Sequence, residues 1–269
     1  MKLTILGSGT CVPNGERNSA GYFLELGDAR IMLDCGAGTV HALARFGLPW
    51  QDLTHLFVSH FHVDHIGELP AMMFAFKWGM NKVRSDELCI VGPKGLNEVV
   101  QRLDDALGPR LFETRFPLSV KTLEPGSSME LGSNANLSVF KTPHNEESLA
   151  VKIECEGESI GYTGDTAYND DVADFFQGVD ILISECSYLT PHPNVRHLTV
   201  EEVAKLAARA DAGCLIVTHC YFEVDEAELE QRISERFKGV IVVGRDGRSV
   251  SSGTFGEMFG RDSGERVVE

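Results

Sequence analysis

The stretch SHFHVDH at residues 59–65 determines how the rest of this chain is interpreted. An apolar run at 56–58 predicts a buried strand before it, and residues 66–69 predict the start of a helix after it. Asp64 and His65 can therefore approach the histidines at the strand tip from the beginning of that helix. Three imidazoles and one carboxylate in so short a stretch suit a borderline metal ion such as zinc. A chance cluster of ordinary histidines is the alternative, and the strand–loop–helix context disfavours it.

The alternation of side chains along this stretch predicts which residues face the metal. In an extended segment, residues two apart lie on the same face, so His60 and His62 are expected to point the same way. Phe61 and Val63 are then expected to point into the core. The pattern therefore predicts that the two histidines act together as ligands.

Length and composition bound the class of protein. The chain has 269 residues, of which 43% are hydrophobic and 24% charged, as is ordinary for a soluble globular protein with a sizeable core. We expect one domain over residues 1–269, made of two pseudo-equivalent halves that share a core, with a frayed tail from about residue 256. No apolar run reaches membrane-spanning length, so no membrane partner is expected.

The first residues and the cysteines predict the cellular compartment, and the net charge predicts which substrates are disfavoured. Residues 1–7 enter a strand pattern directly, without the apolar segment of an export signal. The seven cysteines are scattered and odd in number, which favours reduced thiols. Both observations predict a cytoplasmic protein. The formal net charge of −16 opposes non-specific attraction to nucleic acid and counts against a long polyanion as substrate.

Hydrophobic periodicity divides the chain into strands and helices. In the first half it predicts strands at 3–6, 21–26, 30–33 and 88–91 and helices at 39–43, 69–78 and 96–107. In the second half, a capping box formed by Thr199 and Glu202 predicts a helix start, and another helix follows Asp225. The last predicted elements are strands at 240–243 and 249–252 around a hairpin-like turn at 245–248.

Three features of the first half each allow two interpretations. The glycine-rich residues 7–10 either cradle a phosphate or form a tight turn, and the turn is favoured because no helix follows. Asp34, at a strand tip, either orients a ligand histidine or caps the next helix, and the sequence favours neither. The apolar face at 72–80 either packs into the core, which is favoured, or forms a dimer contact.

Single polar residues follow the strands of the second half. His144, Asp165 and His219 each stand where an apolar strand ends in a short loop. In open α/β architectures, sites form at this edge. Together with the stretch at 59–65, these residues supply five histidines and two aspartates. That set is sufficient to hold two metal ions with a shared water.

These motifs resemble those of the metallo-β-lactamase superfamily and, within it, of ribonuclease Z. The superfamily likeness rests on Asp34, His60-x-His62-x-Asp64-His65, His144, Asp165 and His219, in that order. The ribonuclease Z likeness rests on LGSGT at 6–10 with Pro13, Arg17 and Asn18, on SEC at 184–186 and on HLT at 197–199. The resemblance implies an α/β protein with a four-layer αββα sandwich, in which helices flank two mixed β-sheets.

The resemblance also implies a role for each residue. The first metal would be bound by His60, His62 and His144, the second by Asp64, His65 and His219, with Asp165 bridging both. The ions would be zinc, with manganese or iron(II) as alternatives, and would activate a bridging hydroxide. Asp64 would also accept a proton from the attacking water. Glu185 and His197 would form a relay in which His197 protonates the departing oxygen, unless Glu185 is only a solvated strand end and His197 only precedes a capped helix.

The implied function is a dinuclear-metal-dependent hydrolase, a phosphodiesterase that acts on a small or single-stranded phosphodiester, and the implied assembly is a homodimer. Other hypotheses are a lactone or thioester hydrolase, a tRNA 3′-processing endonuclease and a non-catalytic binding module. Only twenty residues separate His144 from Asp165, where tRNA-processing relatives carry a long arm, which counts against tRNA processing. All expected ligands are present, which counts against the binding module.

Overall fold

The computed structural model describes residues 1–80, 84–107, 110–132, 134–192 and 196–251. In these ranges the chain forms two mixed β-sheets of seven strands each. The strands of the first sheet are β1 (Lys2–Gly7), β2 (Gly21–Leu26), β3 (Ala29–Leu33), β4 (His55–Phe57), β5 (Leu88–Pro93), β6 (Leu118–Leu123) and β14 (Ser249–Ser251). The strands of the second sheet are β7 (Ser128–Gly132), β8 (Ala135–Lys141), β9 (Leu149–Cys155), β10 (Glu158–Tyr162), β11 (Ile181–Glu185), β12 (Cys214–Thr218) and β13 (Val240–Val243).

The two sheets have equivalent strand orders. The first runs β14-β1-β2-β3-β4-β5-β6, and the second runs β13-β12-β11-β10-β9-β8-β7. The strands from β3 to β6 are parallel, as are those from β10 to β13. The remaining neighbours are antiparallel. Both sheets are therefore mixed, as predicted.

Helices cover the outer face of each sheet. They are α1 (Thr39–Arg45), α2 (Val63–Ile66), α3 (Leu69–Trp78), α4 (Leu96–Leu107), α5 (Asp170–Phe175), α6 (Val200–Arg209) and α7 (Glu226–Ser234). Apolar residues of α1 to α4 pack against the first sheet, and those of α5 to α7 pack against the second. The predicted four-layer αββα sandwich is confirmed.

A third apolar layer fills the space between the two sheets. Leu3 and Ile5 on β1 and Val151 and Ile153 on β9 belong to this layer, and all four are fully or almost fully buried. Because helices cover the outer faces as well, both faces of the central strands are apolar. Polar groups are thereby restricted to the strand ends, where the site forms.

The interval between His144 and Asp165 contains an antiparallel pair, β9 and β10, joined through Glu156 and Gly157 at positive φ. A short hairpin therefore fills this interval. Among the described residues, no helix is both long enough and apolar enough to cross a membrane.

The predicted inward orientation of Val63 is wrong. A short helix, α2, begins at Val63, before α3, which begins at Leu69 within the predicted range 66–69. The side chain of Val63 is 76% exposed, since it starts a helix and no longer continues the strand alternation. Phe61 is half-buried and packs against the core outside the first sheet.

The prediction of a C-terminal hairpin is also wrong. Strand β13 pairs with β12 in the second sheet, whereas β14 pairs with β1 in the first. The turn at 245–248 therefore carries the chain from one sheet to the other. Residue 252 and the predicted tail from about 256 lie outside the described residues.

The capping box of α6 is confirmed and provides a test of local stability. The Thr199 hydroxyl accepts a hydrogen bond from the Glu202 amide, and the Glu202 carboxylate accepts one from the Thr199 amide. We expect Thr199→Ala to lower the free energy of unfolding by about 1 kcal/mol, because an amide of the first turn loses its acceptor. Urea unfolding of the metal-free protein measures the difference, with Thr199→Ser as the control that keeps the hydroxyl. Equal stability of the alanine variant would contradict this role of the cap.

Candidate metal centre

The carboxyl ends of strands from both sheets meet at one edge of the sandwich. His60 follows β4 of the first sheet, and Asp165 and His219 follow β10 and β12 of the second. Helix α2 brings Asp64 and His65 to the same edge. This is the edge at which parallel strands of α/β sheets present their sites.

A first group of ligand atoms is formed by His60, His62, His144 and Asp165. Nδ1 of His62 lies 3.0 Å from Nε2 of His60 and 3.3 Å from Nε2 of His144. Asp165 Oδ2 is 3.7 Å from each of those Nε2 atoms. All four are buried except His62, which is exposed at the mouth of the site.

A second group is formed by Asp64, His65 and His219. Asp64 Oδ2 lies 3.4 Å from Nε2 of His219 and 3.9 Å from Nε2 of His65. The other oxygen of Asp165, Oδ1, is 3.3 Å from Nε2 of His65 and 3.6 Å from Nε2 of His219. The Asp165 carboxylate thus lies between the two groups, and the seven predicted ligands come together at one place.

Asp34 orients His65 and does not cap the next helix, whose N-cap residue is Gly38. The Oδ2 atom of Asp34 accepts hydrogen bonds from Nδ1 of His65 at 2.6 Å and from the Tyr162 hydroxyl at 2.6 Å. It also accepts one from the Ser59 hydroxyl at 2.7 Å, while Oδ1 accepts from the Ser59 amide. Of the two interpretations left open for Asp34, the structure supports orientation of the histidine.

Two serines orient further histidines, because each serine links a histidine to a buried carboxylate. The Ser59 hydroxyl gives its proton to Asp34, so Nδ1 of His60, 3.0 Å away, is the donor to Ser59. The Ser187 hydroxyl likewise donates to Glu185, so Nδ1 of His219, 3.1 Å away, donates to Ser187. In both histidines the proton on Nδ1 leaves the lone pair of Nε2 directed at the centre.

Glu185 and His197, the predicted relay, lie in contact. Nδ1 of His197 is 2.9 and 3.0 Å from the two carboxylate oxygens of Glu185. Glu185 is 1% exposed and also accepts hydrogen bonds from the amides of Thr166 and Leu198. His197 Nδ1 is 3.9 Å from Asp165 Oδ2, which places the ring beside the shared carboxylate.

The donor set fits a metal ion. His144 donates through Nδ1 to the backbone carbonyl of Arg196, so its Nε2 also points inward with a free lone pair. Nε2 of His65 and Oδ1 of Asp165 are buried, and among the described residues neither has a hydrogen-bond partner. Buried polar atoms without partners are costly unless something else satisfies them. Imidazole nitrogens and carboxylate oxygens that converge in this way are the ligands that zinc, manganese and iron accept.

Without a metal ion, burial and the neighbouring charges set a different protonation state at each member of the centre. Burial lowers the pKa of both His60 and His144, which keeps them in the neutral form that binds metal. Burial acts in the same direction on His65, but the carboxylates of Asp165 and Asp34 outweigh it and raise its pKa well above the usual value. Burial opposes ionisation of Asp165, yet His219 and His65 hold its pKa well below the usual range. The shared carboxylate is therefore ionised.

Backbone strain occurs at two residues of the site. Asp34 and His219 have φ values of 58° and 57°, in the left-handed region that non-glycine residues rarely adopt. The Asp34 amide donates to the Phe57 carbonyl at 2.8 Å, and the His219 amide donates to the Ser8 carbonyl at 2.9 Å. Such conformations persist where surrounding contacts fix them, and they occur often at functional sites.

The loop at 7–18 supports the centre and does not form a phosphate cradle. Its Ser8 amide and hydroxyl both donate to Oδ1 of Asp246, each at 2.9 Å, and its Gly9 amide donates to the Asn18 carbonyl. The Asn18 amide donates to Oδ2 of Asp246 at 2.7 Å. Asp246, in the turn that crosses between the sheets, thereby fixes Ser8, whose carbonyl holds His219.

Sequence reasoning missed several residues that touch the centre. Ser59, Tyr162 and Ser187 supply the orienting hydrogen bonds described above, and Nδ2 of Asn145 lies 3.1 Å from Nε2 of His62. Each is within three residues of a predicted site residue, so proximity in sequence was an available signal. Asp246 gave no such signal, because its contact with Ser8 spans 238 residues.

Comparison with known proteins identifies the fold and its relatives. The model of the family described as anti-Pycsar protein Apyc1 matches residues 1–233. Ribonuclease Z of Mycobacterium bovis (strain BCG / Pasteur 1173P2) is 27% identical over 271 residues, covering 91% of this chain and 96% of the relative. The probable metallo-hydrolase YhfI of Bacillus subtilis (strain 168) is 26% identical over 253 residues, covering 92% and 98%.

Solved structures agree. The metallo-β-lactamase fold protein YhfI from Bacillus subtilis has a TM-score of 0.80 and 25% identity, over 93% of this chain and 98% of that chain. Human tRNase Z, short form, has a TM-score of 0.72 and 21% identity, over 93% and 99%. The metallo-β-lactamase fold and the ribonuclease Z-like resemblance that the motifs predicted are thereby confirmed.

The link from Asp246 through Ser8 to His219 can be tested with a matched control. Asp180 accepts from the amide and hydroxyl of Ser159 at 2.8 and 2.9 Å, as Asp246 does from Ser8, but Ser159 does not touch the centre. We expect Asp246→Ala to weaken metal binding about tenfold, because supporting contacts of this kind are worth 10–100-fold in affinity. Asp180→Ala should cost comparable stability without that effect.

Competition with a chromogenic chelator measures the affinity, and circular dichroism verifies the fold. If both variants bound metal as tightly as the unmodified protein, the turn would have no part in holding His219.

Proposed function

The chain belongs to the family of the anti-Pycsar protein Apyc1, and on that premise we propose that it is a phosphodiesterase that holds two divalent metal ions. One observation carries the proposal. His197, held by Glu185, lies beside the Asp165 carboxylate that both groups of ligand atoms share. This arrangement supports two metal positions with a proton donor next to them.

The residues divide between the two positions as follows. His60, His62 and His144 would hold one ion and Asp64, His65 and His219 the other, with Asp165 common to both. When bound, such a pair of ions lowers the pKa of a coordinated water and neutralises charge on phosphate oxygens. We propose zinc, which the five imidazoles favour, with manganese and iron(II) as the alternatives that metal analysis distinguishes.

Two residues would move protons. Burial opposes ionisation of Asp64, but the neighbouring His219 and His65 hold its pKa below the usual value, so its carboxylate would be ionised and able to accept a proton from the attacking water. Burial also opposes protonation of His197, yet the hydrogen bond and charge of Glu185 raise its pKa. His197 is therefore suited to donate a proton to the departing oxygen.

The relatives named ribonuclease Z favour phosphodiester over lactone or thioester chemistry. An alkoxide that leaves phosphorus needs a proton, which Glu185 and His197 would supply. The substrate we propose is small or is a short single strand of nucleic acid. The short β9–β10 hairpin between His144 and Asp165 and the net charge of −16 both support this choice.

The setting of the protein follows from three observations. All seven cysteines are free thiols and six are buried, which supports a reducing compartment, and we propose the cytoplasm. Both sheets contribute to one buried layer, which supports a single domain. Phe74 and Trp78 on α3 are 59% and 63% exposed, and we propose a homodimer through this face.

A substrate panel tests the proposed reaction. Protein loaded in parallel with zinc, manganese or iron(II) should hydrolyse bis(4-nitrophenyl) phosphate, and a chelator should abolish the activity. The panel also contains cyclic nucleotides, short RNA, a tRNA precursor, an acyl-lactone and a thioester. Hydrolysis of the lactone with bis(4-nitrophenyl) phosphate left intact would overturn the phosphodiesterase proposal.

Substitutions distinguish the role of the proposed proton donor from that of the proposed metal ligands. His197→Ala should lower kcat by about 10²–10⁴-fold, as is typical for loss of a general acid, with metal content near that of the unmodified protein. His65→Ala should lower both kcat and metal content, because it removes a proposed ligand.

The exposed His41 on α1 provides the control, since His41→Ala should change neither quantity. Metal content by elemental analysis and kcat on the same substrate are measured for all three variants. Loss of metal from His197→Ala would show that its role is assigned wrongly.

A further inference from the structure

His62 is oriented differently from the other four histidines of the centre. His60, His65, His144 and His219 each donate through Nδ1 to a serine, a carboxylate or a backbone carbonyl and direct Nε2 inward. His62 is reversed, since its Nδ1 faces the centre, 3.0 Å from Nε2 of His60 and 3.3 Å from Nε2 of His144. Its ring is also the exposed one in this group. The contact that holds His62 is therefore of a different kind.

Without a metal ion, the inward nitrogen of His62 carries the ring proton. Nε2 of His60 and Nε2 of His144 both present lone pairs, because the protons of those rings lie on Nδ1. Two lone pairs at 3.0 and 3.3 Å require a donor between them, and Nδ1 of His62 is the atom that lies there. In a neutral imidazole the outer nitrogen, Nε2, is then an acceptor.

Asn145 contacts this outer nitrogen. Nδ2 of Asn145 lies 3.1 Å from Nε2 of His62, so the side-chain amide donates to the ring. The backbone of Asn145 is fixed on both sides, because its N–H donates to the Ser148 hydroxyl at 3.1 Å and its carbonyl accepts from Nζ of Lys141. The side-chain amide can turn about its last bond without moving this backbone. Such a turn replaces a donor by an acceptor, because it exchanges Nδ2 for Oδ1.

We propose that Asn145 is the positioning residue for His62 and that its side-chain amide turns over when a metal ion binds. The proposal rests on the two metal positions proposed above. To bind an ion through Nδ1, the ring releases that proton to water and takes one from water at Nε2, because the ligand is a neutral imidazole with an inward lone pair. Nε2 then donates, and the bond persists only if Asn145 presents its oxygen. A carboxylate or a carbonyl accepts only and fixes one tautomer, whereas an amide serves both.

Substitutions of Asn145 test the role through zinc affinity, measured by competition with a chromogenic chelator. We expect Asn145→Ala to weaken the binding of one zinc ion per chain about tenfold, because contacts that orient a ligand histidine are worth 10–100-fold in affinity. The ion proposed at Asp64, His65 and His219 should keep its affinity, since Asn145 contacts none of them. Asn145→Asp keeps an oxygen that accepts from Nε2 and should restore the lost affinity. The control is Asn136→Ala, which removes a half-buried amide from the start of β8, at the end of the strand away from His144.

Nuclear magnetic resonance distinguishes a turning amide from a merely structural one. In isotope-labelled protein, the resonances of the two ring nitrogens of His62 show which of them carries the proton. We expect the proton on Nδ1 after treatment with a chelator and on Nε2 after loading with zinc, which is diamagnetic. A structural role of Asn145 alone would not move the proton from one nitrogen to the other.

The outcomes separate this proposal from the metal centre itself. If the unmodified protein binds fewer than two zinc ions per chain, the two metal positions are overturned and the role of Asn145 with them. If it binds two, the role of Asn145 alone is overturned by either of two results. One is that Asn145→Ala weakens neither ion or both alike, and the other is that Nε2 of His62 carries no proton in the zinc-loaded protein. The proposed reaction stands in that case, because neither measurement uses a substrate.

Discussion

The direction of the imidazole lone pairs is the constraint on which the rest of the site depends. A histidine can present Nε2 to a metal only if the proton on Nδ1 has an acceptor on the other side. Here two buried carboxylates, Asp34 and Glu185, supply that acceptor for most of the site. Asp34 accepts a hydrogen bond from His65 directly and is linked to His60 through Ser59. Glu185 is linked to His219 through Ser187. The two sheets contribute one carboxylate each, since Asp34 follows β3 and Glu185 ends β11.

The four-layer architecture allows these charged groups to be buried together. Apolar layers on both faces of each sheet leave the strand ends as the place where buried charge can be collected and paired. His60, His65, His144 and His219 are held by a carboxylate, two serines and a backbone carbonyl. Two residues, Asp34 and His219, adopt left-handed backbone conformations, and contacts from distant parts of the chain fix both. Such a site is largely preorganised before any ion binds.

The fold is shared with proteins named ribonuclease Z and with YhfI, and the resemblance covers nearly the whole chain. Two loops border the centre. A short hairpin occupies the interval between His144 and Asp165, and the loop at 9–17 encloses a cavity against Tyr221. In the proposed function these loops bear on the size of the substrate, whereas the centre itself bears on the reaction. Function in such a fold is therefore divided between a common core and individual loops.

The sequence by itself determined the features that are local in the chain. The strand at 21–26, the helix at 69–78 and the capping box at Thr199 each depend on neighbours a few residues away, and each was predicted correctly. The ligand stretch at 59–65 was evident for the same reason. The exposure of Val63 was not, because a short helix begins there, where the strand alternation was expected to continue.

Only the tertiary structure decided which sheet receives β14, which hydroxyl orients which histidine, and that Asp246 supports His219 from the far end of the chain. These contacts join residues far apart in the chain, and Asp246 and Ser8 are 238 positions apart. They depend on how two sheets pack together, and local periodicity carries no information about that packing.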